Sequence, residues 1–440
     1  MYFSLQDLIF YAFAFVSALY VTHLGLYLIT ANFYDIVQHK RQRLRKHHYA
    51  GPGARGKLVP DSDQLVSVII AAYNEEKVIV RTLDSLRKST YPNVEILVAD
   101  NASPDYTYRL VRDYIVRHPD MNLHIYRMPK NLGKGGALNT LLRRYVRGEF
   151  VMTLDADSIL RPDTIQNSIA YFADPTIAGV AANVRIMDEP TILGVLQKFE
   201  HMVGYRSKKM YSLLNCEFVV GGVASSYRMS VLRKVGFYDT DTVTEDIGLS
   251  IKIVNLGNHN HRMIYASDVV AMTEGVGSFR ALVRQRYRWK YGSFQNLIKY
   301  RRLIFNPSSR YTRTLTLYRL PMALLSEFSL LVSPFVWGYL LYMTFIQYNL
   351  TLIIGAYSTI TAYMLITIWF DENLRTSGRL RLSCYAFVSY FIFYLMDVVQ
   401  LVGIARCLRQ SRSLLQQKDI GGQWVSPSRS GKKVQHVYEA

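Results

Sequence analysis

Three short runs carry residue types suited to group-transfer chemistry. Val151-Met152-Thr153-Leu154 is apolar and leads directly into Asp155-Ala156-Asp157. Carboxylates spaced i, i+2 share one side of an extended chain. Such a pair at a strand end is a seat for a divalent cation and a phosphate, because hard ions prefer carboxylate oxygens. The plainer reading is a solvated turn, since Asp is common after strands. Val243-Thr244-Glu245-Asp246-Ile247 places two acids where a helix is expected to begin, at 247–256. Thr244 as an N-cap, with Glu245 and Asp246 favouring the positive helix end, accounts for them without chemistry. An Asp in a rigid turn is also a base for an acceptor hydroxyl. Arg284-Gln285-Arg286-Tyr287-Arg288-Trp289-Lys290 sits in an expected helix at 278–300, basic on one side and aromatic on the other. Trp offers a flat face to a sugar ring and Arg a fork to phosphate. A helix lying on anionic lipid would use the same residues.

The elements around these runs decide how they are held. Val66 to Ala72 reads as a buried strand ending at Tyr73-Asn74-Glu75-Glu76, followed by a helix at 76–88. A second strand at 94–99 ends on Asp100, and a helix follows at 106–118. A third strand, 124–127, leads into Asn131-Leu132-Gly133-Lys134-Gly135-Gly136 and a helix from 137. The Asp155 run is the fourth strand. Alternating strands and helices predict a mainly parallel α/β sheet, in which ligands sit at the carboxyl ends of the strands. Tyr73, Glu75, Asp100, Lys134, Asp155 and Asp157 all fall on that rim. Asp100 can accept from a base N–H and the Asp155 pair can face a pyrophosphate, so the rim suits a nucleotide sugar. The 133–136 loop lacks P-loop spacing, which argues against an ATPase. Downstream, 189–214 reads as an amphipathic helix, lying either on a membrane or as an ordinary surface helix. Phe218-Val219-Val220 reads as a strand running into Gly221-Gly222, where glycines let backbone approach a ligand.

The chain has 440 residues, 50% hydrophobic and 13% aromatic, with a formal net charge of +19. Segments 8–30, 320–346, 352–370 and 384–405 are apolar and long enough to span a bilayer. The positive excess lies beside them, so it speaks for membrane orientation; no nucleic-acid-binding motif is present. The basic run 39–48 puts the N-terminus outside and the next domain in the cytoplasm. Three later spans then put the basic tail outside, against the same rule, unless a segment near Pro321 and Pro334 is re-entrant. Glu327 and Asp397, acids within these spans, suit an aqueous path or a hydrogen bond between helices. Cys216, Cys384 and Cys407 are scattered and indicate neither a disulfide framework nor a zinc site. The expected organisation is an N-terminal span (1–31), a basic juxtamembrane linker (32–63) with a flexible 51–56, a catalytic domain (64–276), an amphipathic interface helix (277–305), a bundle of about three spans (306–406) and a basic tail (407–440).

In combination these motifs resemble the processive family 2 glycosyltransferases, which include cellulose, chitin and hyaluronan synthases. Tyr73-Asn74-Glu75, Asp100, Asp155-Ala156-Asp157, Thr244-Glu245-Asp246 and Gln285-Arg286-Tyr287-Arg288-Trp289 occur in that group's order, the last matching its Q-x-x-R-W pattern. The resemblance covers about 64–300 and the flanking membrane segments. Within the group the chain is most similar to bacterial poly-β-1,6-N-acetylglucosamine synthases, through Thr244 to Ile247, Gly222 to Arg228 and Trp424-Val425-Ser426-Pro427. It departs in having one N-terminal span where some have two, and Gly221 where Ser is often found. The resemblance implies a GT-A fold, with Tyr73, Glu75, Asp100 and Lys134 at uridine. Asp155 and Asp157 are then expected at the donor diphosphate, with Asp157 on Mg²⁺ or Mn²⁺. It also implies Asp246 as general base, shaped by Glu245 and Thr244. Gln285 and Arg288 are expected over the diphosphate, and Trp289 with Gly221 and Gly222 at the acceptor sugar. The expected partners are a UDP-sugar donor, a growing polysaccharide, membrane lipids and a small membrane subunit. A non-processive transferase on a lipid acceptor and a non-catalytic transport component are the alternatives; the Q-x-x-R-W match speaks against the first and the full acidic set against the second.

Overall fold

The computed structural model describes residues 5–49, 64–187, 191–410 and 412–413. Its centre is an eight-stranded sheet in the order β3-β2-β1-β4-β7-β6-β8-β5. The strands are β1 (Val66–Ala72), β2 (Val94–Asp100), β3 (Leu123–Arg127), β4 (Phe150–Asp155), β5 (Ile159–Leu160), β6 (Ile177–Ile186), β7 (Ser225–Arg228) and β8 (Arg262–Thr273). Every residue of β1 is buried, as expected for a continuous apolar strand covered on both faces. Two apolar layers flank the sheet. Ile69, Ala71, Leu97 and Val151 face one, with the Gly133–Arg144 and Glu245–Val254 helices; Val68, Ile70, Val98 and Met152 face the other, with the Ile79–Arg87 helix.

The register explains why the acids share a rim. β1 pairs in parallel with β2 on one side and β4 on the other, aligning Ala72 with Asp100 and Ala71 with Asp155. Asp100 and Asp155 therefore both stand at the end of β1, one strand to either side, with Cα atoms roughly 10 Å apart at normal strand spacing and, one register position apart, with side chains leaving opposite faces of the pleat. The chain leaves β1 toward β2 on one side, while β4 lies on the other. This is the topological switch point where open α/β sheets form a crevice. Beyond β4 the sheet becomes mixed, since β7 is antiparallel to both β4 and β6.

Several elements differ from expectation. The Phe218–Val220 run is not a strand; the strand is β7, starting at Ser225. Backbone pairing in the earlier run is replaced by side chains: Glu217 Oε1 takes the Phe218 and Val219 N–H groups at 2.9 and 2.8 Å, and the Ser250 hydroxyl takes the Val220 N–H at 3.1 Å. The helix expected at 189–214 is Ile192–Leu213, and it is not a surface helix. Its Lys198, Arg206 and Lys209 are buried; Arg206 bonds Asn32 at 2.6 Å, and Lys209 pairs with Asp35. Here charge interleaved with apolar residues marks contact with another helix. The first helix runs from Leu5 to Tyr49 without a break, so the basic run is helical where a linker was expected. The 51–56 linker and the 424–427 motif lie outside the described residues.

Among the described residues, four helices are long and apolar enough to cross a membrane: Phe13–Lys40, Thr314–Phe345, Thr351–Trp369 and Ser389–Arg409. The last begins at Ser389, later than the expected 384, because a separate helix, Thr376–Ala386, carries Arg379 and Arg381 up to the bend at Phe387. Large apolar side chains such as Phe15, Ile29, Phe335 and Phe391 point outward from these helices, as a hydrocarbon environment requires.

Candidate active site

The β1–β2 side of the rim is built by two loops that brace each other. After β1, Asn74 adopts a left-handed φ of 57°, a conformation Asn tolerates better than most residues. Its N–H donates to Ser103 Oγ at 3.2 Å, and the Glu75 N–H donates to Thr107 Oγ1 at 2.9 Å. Tyr73 is half-buried and Glu75 buried. Asp100 is fully buried, with Ser103 N–H 3.4 Å from Oδ1 and Arg127 Nε 3.4 Å from Oδ2. Burial raises its carboxyl above the usual range, while Ser103 and Arg127 pull the other way. Asn101 fixes the next loop: its Oδ1 takes the Leu132 N–H at 2.9 Å and its amide donates to Asn131 at 2.8 Å.

The Asp155-Ala156-Asp157 turn is held from behind by the Ile79–Arg87 helix. Thr82 Oγ1 donates to the Ala156 carbonyl at 2.8 Å, and Arg81 reaches the Asp157 carbonyl at 3.2 Å. Asp155 is the last residue of β4, so strand parity does not extend to Asp157. The two acids have different surroundings. Asp157 is buried beside Ser158 Oγ (2.9 Å) and Thr273 Oγ1 (3.4 Å), whereas Asp155 meets Lys134 Nζ at 2.6 Å.

Lys134 is where the structure redraws the expectation. Its ammonium lies between Asp155 and Glu245, 3.4 Å from Glu245 Oε1, rather than with Tyr73, Glu75 and Asp100, the residues it was expected to join. A Cβ on Gly222 would sit 2.8 Å from that ammonium, 3.7 Å from Asp246 Oδ2 and 3.8 Å from Asp155 Oδ1. Gly222 thus marks the point where the strand-end acid, the lysine and the second acidic motif meet. Gly221 has open space around its Cα. Burial works against the charge on Lys134, but Asp155, Glu245 and Asp246 hold its pKa well above that of an ordinary lysine. The Asp246 carboxyl is pushed up to about 6, by burial first and Glu245 second, against the pull of Lys134, the Ile247 N–H and Arg288. That N–H donates to Asp246 Oδ1 at 2.8 Å.

Thr244 is the residue before the Glu245–Val254 helix, yet its side chain makes no capping bond. It faces the Phe279–Lys299 helix, where Asn296 Nδ2 lies 3.2 Å from both its Oγ1 and its carbonyl. Gln295 Oε1 takes the Val243 N–H at 3.0 Å. A Cβ on Gly292 would lie 2.2 Å from Thr244 Oγ1, so only glycine permits this approach. Gln285, Trp289, Gly292 and Asn296 follow i, i+4, i+7, i+11, one face of the helix. That periodicity is legible in the sequence, but its partner is not. Arg286 is buried against Glu200, with Nε 3.0 Å from Oε1, and donates to Gln285 Oε1 at 2.6 Å. Its guanidinium lies 4.0 Å from the centre of the Trp289 ring. Gln285 is therefore engaged by Arg286, Arg288 is exposed, and Trp289 remains 37% exposed.

A mainly parallel sheet with carboxylates at its switch point, a lysine among them and a buried Asp of raised pKa is an arrangement of GT-A type. Residues 67–236 match Glycosyl transferase family 2. A Staphylococcus epidermidis protein named poly-beta-1,6-N-acetyl-D-glucosamine synthase is 30% identical over 254 residues, 56% of this chain and 60% of that protein. One of the same name from Staphylococcus aureus (strain COL) is 29% identical over 237 residues, 53% of this chain and 56% of that protein. The match thus spans less than two thirds of these relatives' own lengths. Among solved structures, the mannosyltransferase PcManGT from Pyrobaculum calidifontis in complex with GDP-Man and Mn²⁺ superposes with a TM-score of 0.52. It is 20% identical, and the match covers 88% of this chain and 99% of that one; the shared property is the fold.

Proposed function

We propose that this protein is a membrane-embedded, inverting and processive glycosyltransferase. It polymerises N-acetylglucosamine from UDP-N-acetylglucosamine into a β-1,6-linked polysaccharide of the biofilm-matrix type and helps move the chain across the membrane. The observation that carries the chemistry is the meeting of Asp155, Lys134, Glu245 and Asp246 at Gly222. The relatives' printed names support the choice of sugar.

In this reading Tyr73, Glu75 and Asp100 hold uridine and leave the diphosphate over the end of β4. Among the described residues no three His, Cys, Asp or Glu side chains converge on a metal position. A divalent ion on Asp155 and Asp157 would therefore complete its shell with phosphate and water, the usual habit of Mg²⁺, and the hard oxygen donors fit Mg²⁺ or Mn²⁺. When bound, the ion supplies charge neutralisation for the leaving diphosphate. Lys134 adds a fixed cation on the same side, and Arg288 and Gln285 close from the interface helix. Asp246 takes the proton from the acceptor hydroxyl. That oxygen bonds to C1 on the face opposite the diphosphate, and the C1–O bond breaks with its electron pair leaving on UDP, which inverts the anomeric centre. The half-exposed Trp289 ring receives the acceptor's terminal sugar, and the Gly221-Gly222 turn lies on the acceptor side, Gly221 with open space and Gly222 close against the Lys134 ammonium. The catalytic domain faces the cytoplasm, where UDP-sugars are, and a small membrane subunit is an expected partner for the outward-facing apolar helices.

The test is synthesis by the purified protein in proteoliposomes with Mg²⁺ and labelled donor. High-molecular-weight product from UDP-N-acetylglucosamine and none from UDP-glucose is expected. Polymer from UDP-glucose alone would refute the sugar, and single-sugar addition would refute processivity.

A further inference from the structure

Arg286 has no role in the proposed chemistry, yet its side chain touches two residues that have one. Its Nη1 donates to Gln285 Oε1 at 2.6 Å, and its guanidinium lies over the Trp289 ring, 4.0 Å from the ring centre. A guanidinium only donates, so it fixes which end of the Gln285 amide faces it. Over Trp289 it backs the indole as a planar cation, while the ring stays 37% exposed.

What holds Arg286 lies outside its own helix. The buried guanidinium meets both carboxylate oxygens of Glu200: Nε lies 3.0 Å from Oε1, and Nη2 donates to Oε2. Glu200 belongs to the Ile192–Leu213 helix. One turn earlier, on the same face, Leu196 packs with Val276 and Leu282. Gln197 takes the Val276 N–H at 2.9 Å and donates to the Val276 carbonyl at 3.2 Å. The helix is backed in turn by Phe199, which packs with Tyr363, Met364 and Ile368 of the Thr351–Trp369 helix. Glu200 is therefore presented from a braced element. A buried ion pair adds little stability over an apolar pair of the same volume, but a carboxylate gripping a guanidinium through two bonds fixes its geometry.

We propose that Glu200 is a positioning residue for acceptor recognition: through Arg286 it holds the Trp289 ring in place for the incoming sugar. This rests on the reading of Trp289 as the acceptor's platform.

The full-length protein in proteoliposomes, with Mg²⁺ and labelled UDP-N-acetylglucosamine, gives mean product length. Calorimetry gives UDP affinity. Acrylamide quenching of the emission that Trp289→Phe removes reports the ring itself. Glu200→Gln is expected to shorten the product about two- to fivefold, the fold-change that loss of one cation–π contact corresponds to. It should also raise Trp289 quenching and leave UDP affinity unchanged. Glu200→Asp, which keeps the carboxylate, should recover part of the length. Glu200→Gln combined with Trp289→Ala should give product no shorter than Trp289→Ala alone, since the first acts through the second. Glu200→Met with Arg286→Met leaves no lone buried charge to unsettle the fold and should shorten the product as Glu200→Gln does. If Trp289→Ala shortens the product while Glu200→Gln changes neither length nor quenching, or if the two losses multiply, the positioning role is overturned and the platform stands. If Trp289→Ala leaves the length unchanged, the platform reading falls and the proposal with it.

Discussion

Asp246 is the residue on which the proposed chemistry turns, and its environment makes three predictions. Asp246→Asn is expected to lower transfer by about 10² to 10⁴ while UDP affinity, followed by calorimetry, stays in place. Retained turnover would remove it from the base role. The acid limb of kcat/KM should fall near pH 6, where the carboxyl takes up its proton. Lys134→Met removes a cation that lowers that pKa, so the limb should move to higher pH; Glu245→Gln removes an anion that raises it, so the limb should move lower. Shifts of the same sign in both variants would contradict the arrangement. Stability follows the same linkage. A carboxyl whose folded pKa lies above its ordinary value costs stability when ionised, so the penalty is present above pH 6 and disappears toward pH 4. Asp246→Asn should therefore melt higher than wild type at pH 8 and equally at pH 4. The acids themselves were legible in the sequence, because a carboxylate after a buried run has few other places to go. The position of Lys134 was not, since it depends on how closely Gly222 approaches from 88 positions away in the chain.

At the scale of elements, the Phe279–Lys299 helix unites what the sequence showed as separate motifs. Its first half carries Arg286 and Trp289, and its second half holds the Thr244 turn through Gly292, Gln295 and Asn296. Gly292→Ala would place a Cβ on the Thr244 hydroxyl. It is expected to cost on the order of tenfold or more in kcat through displaced geometry, with UDP binding unchanged. Asn296→Ala, which leaves buried acceptors unmet, should destabilise by about 1–3 kcal/mol and show the same split between kcat and UDP affinity. Equal loss of both would make the contact merely structural. The α/β pattern was readable because buried parallel strands are continuous apolar runs. The Ile192–Leu213 helix was misread because its lysines and arginines looked solvated, and their partners, Asn32 and Asp35, belong to a helix more than 150 residues earlier. β7 was placed too early because Phe218 to Val220 is as apolar as a strand, and only the side chains of Glu217 and Ser250, which take its N–H groups, show why it does not pair.

The whole molecule is tied together by polar contacts between the sheet domain and the apolar helices. Arg185 meets Asp371, Arg161 reaches Asn373 at 3.1 Å, and Lys290 meets Glu327 at 2.6 Å. The last explains one of the acids in the apolar segments, since Glu327 answers a lysine of the interface helix. Lys290→Met should lower stability in detergent by about 3 kcal/mol, the cost of leaving one half of a largely buried pair, and the exchange Lys290→Glu with Glu327→Lys should recover part of it in a double-mutant cycle. No recovery would show that the pair is incidental. The ring proposed to receive the acceptor, Trp289, is the immediate neighbour of Lys290, and Glu327 belongs to a helix suited to crossing the bilayer. On that proposal, sugar addition would take place at a set distance from this helix and so from the hydrocarbon edge. Lipid thickness becomes a control on synthesis: across bilayers of increasing acyl-chain length, polymer output should pass through a maximum, and uncoupling Lys290 from Glu327 should flatten that profile.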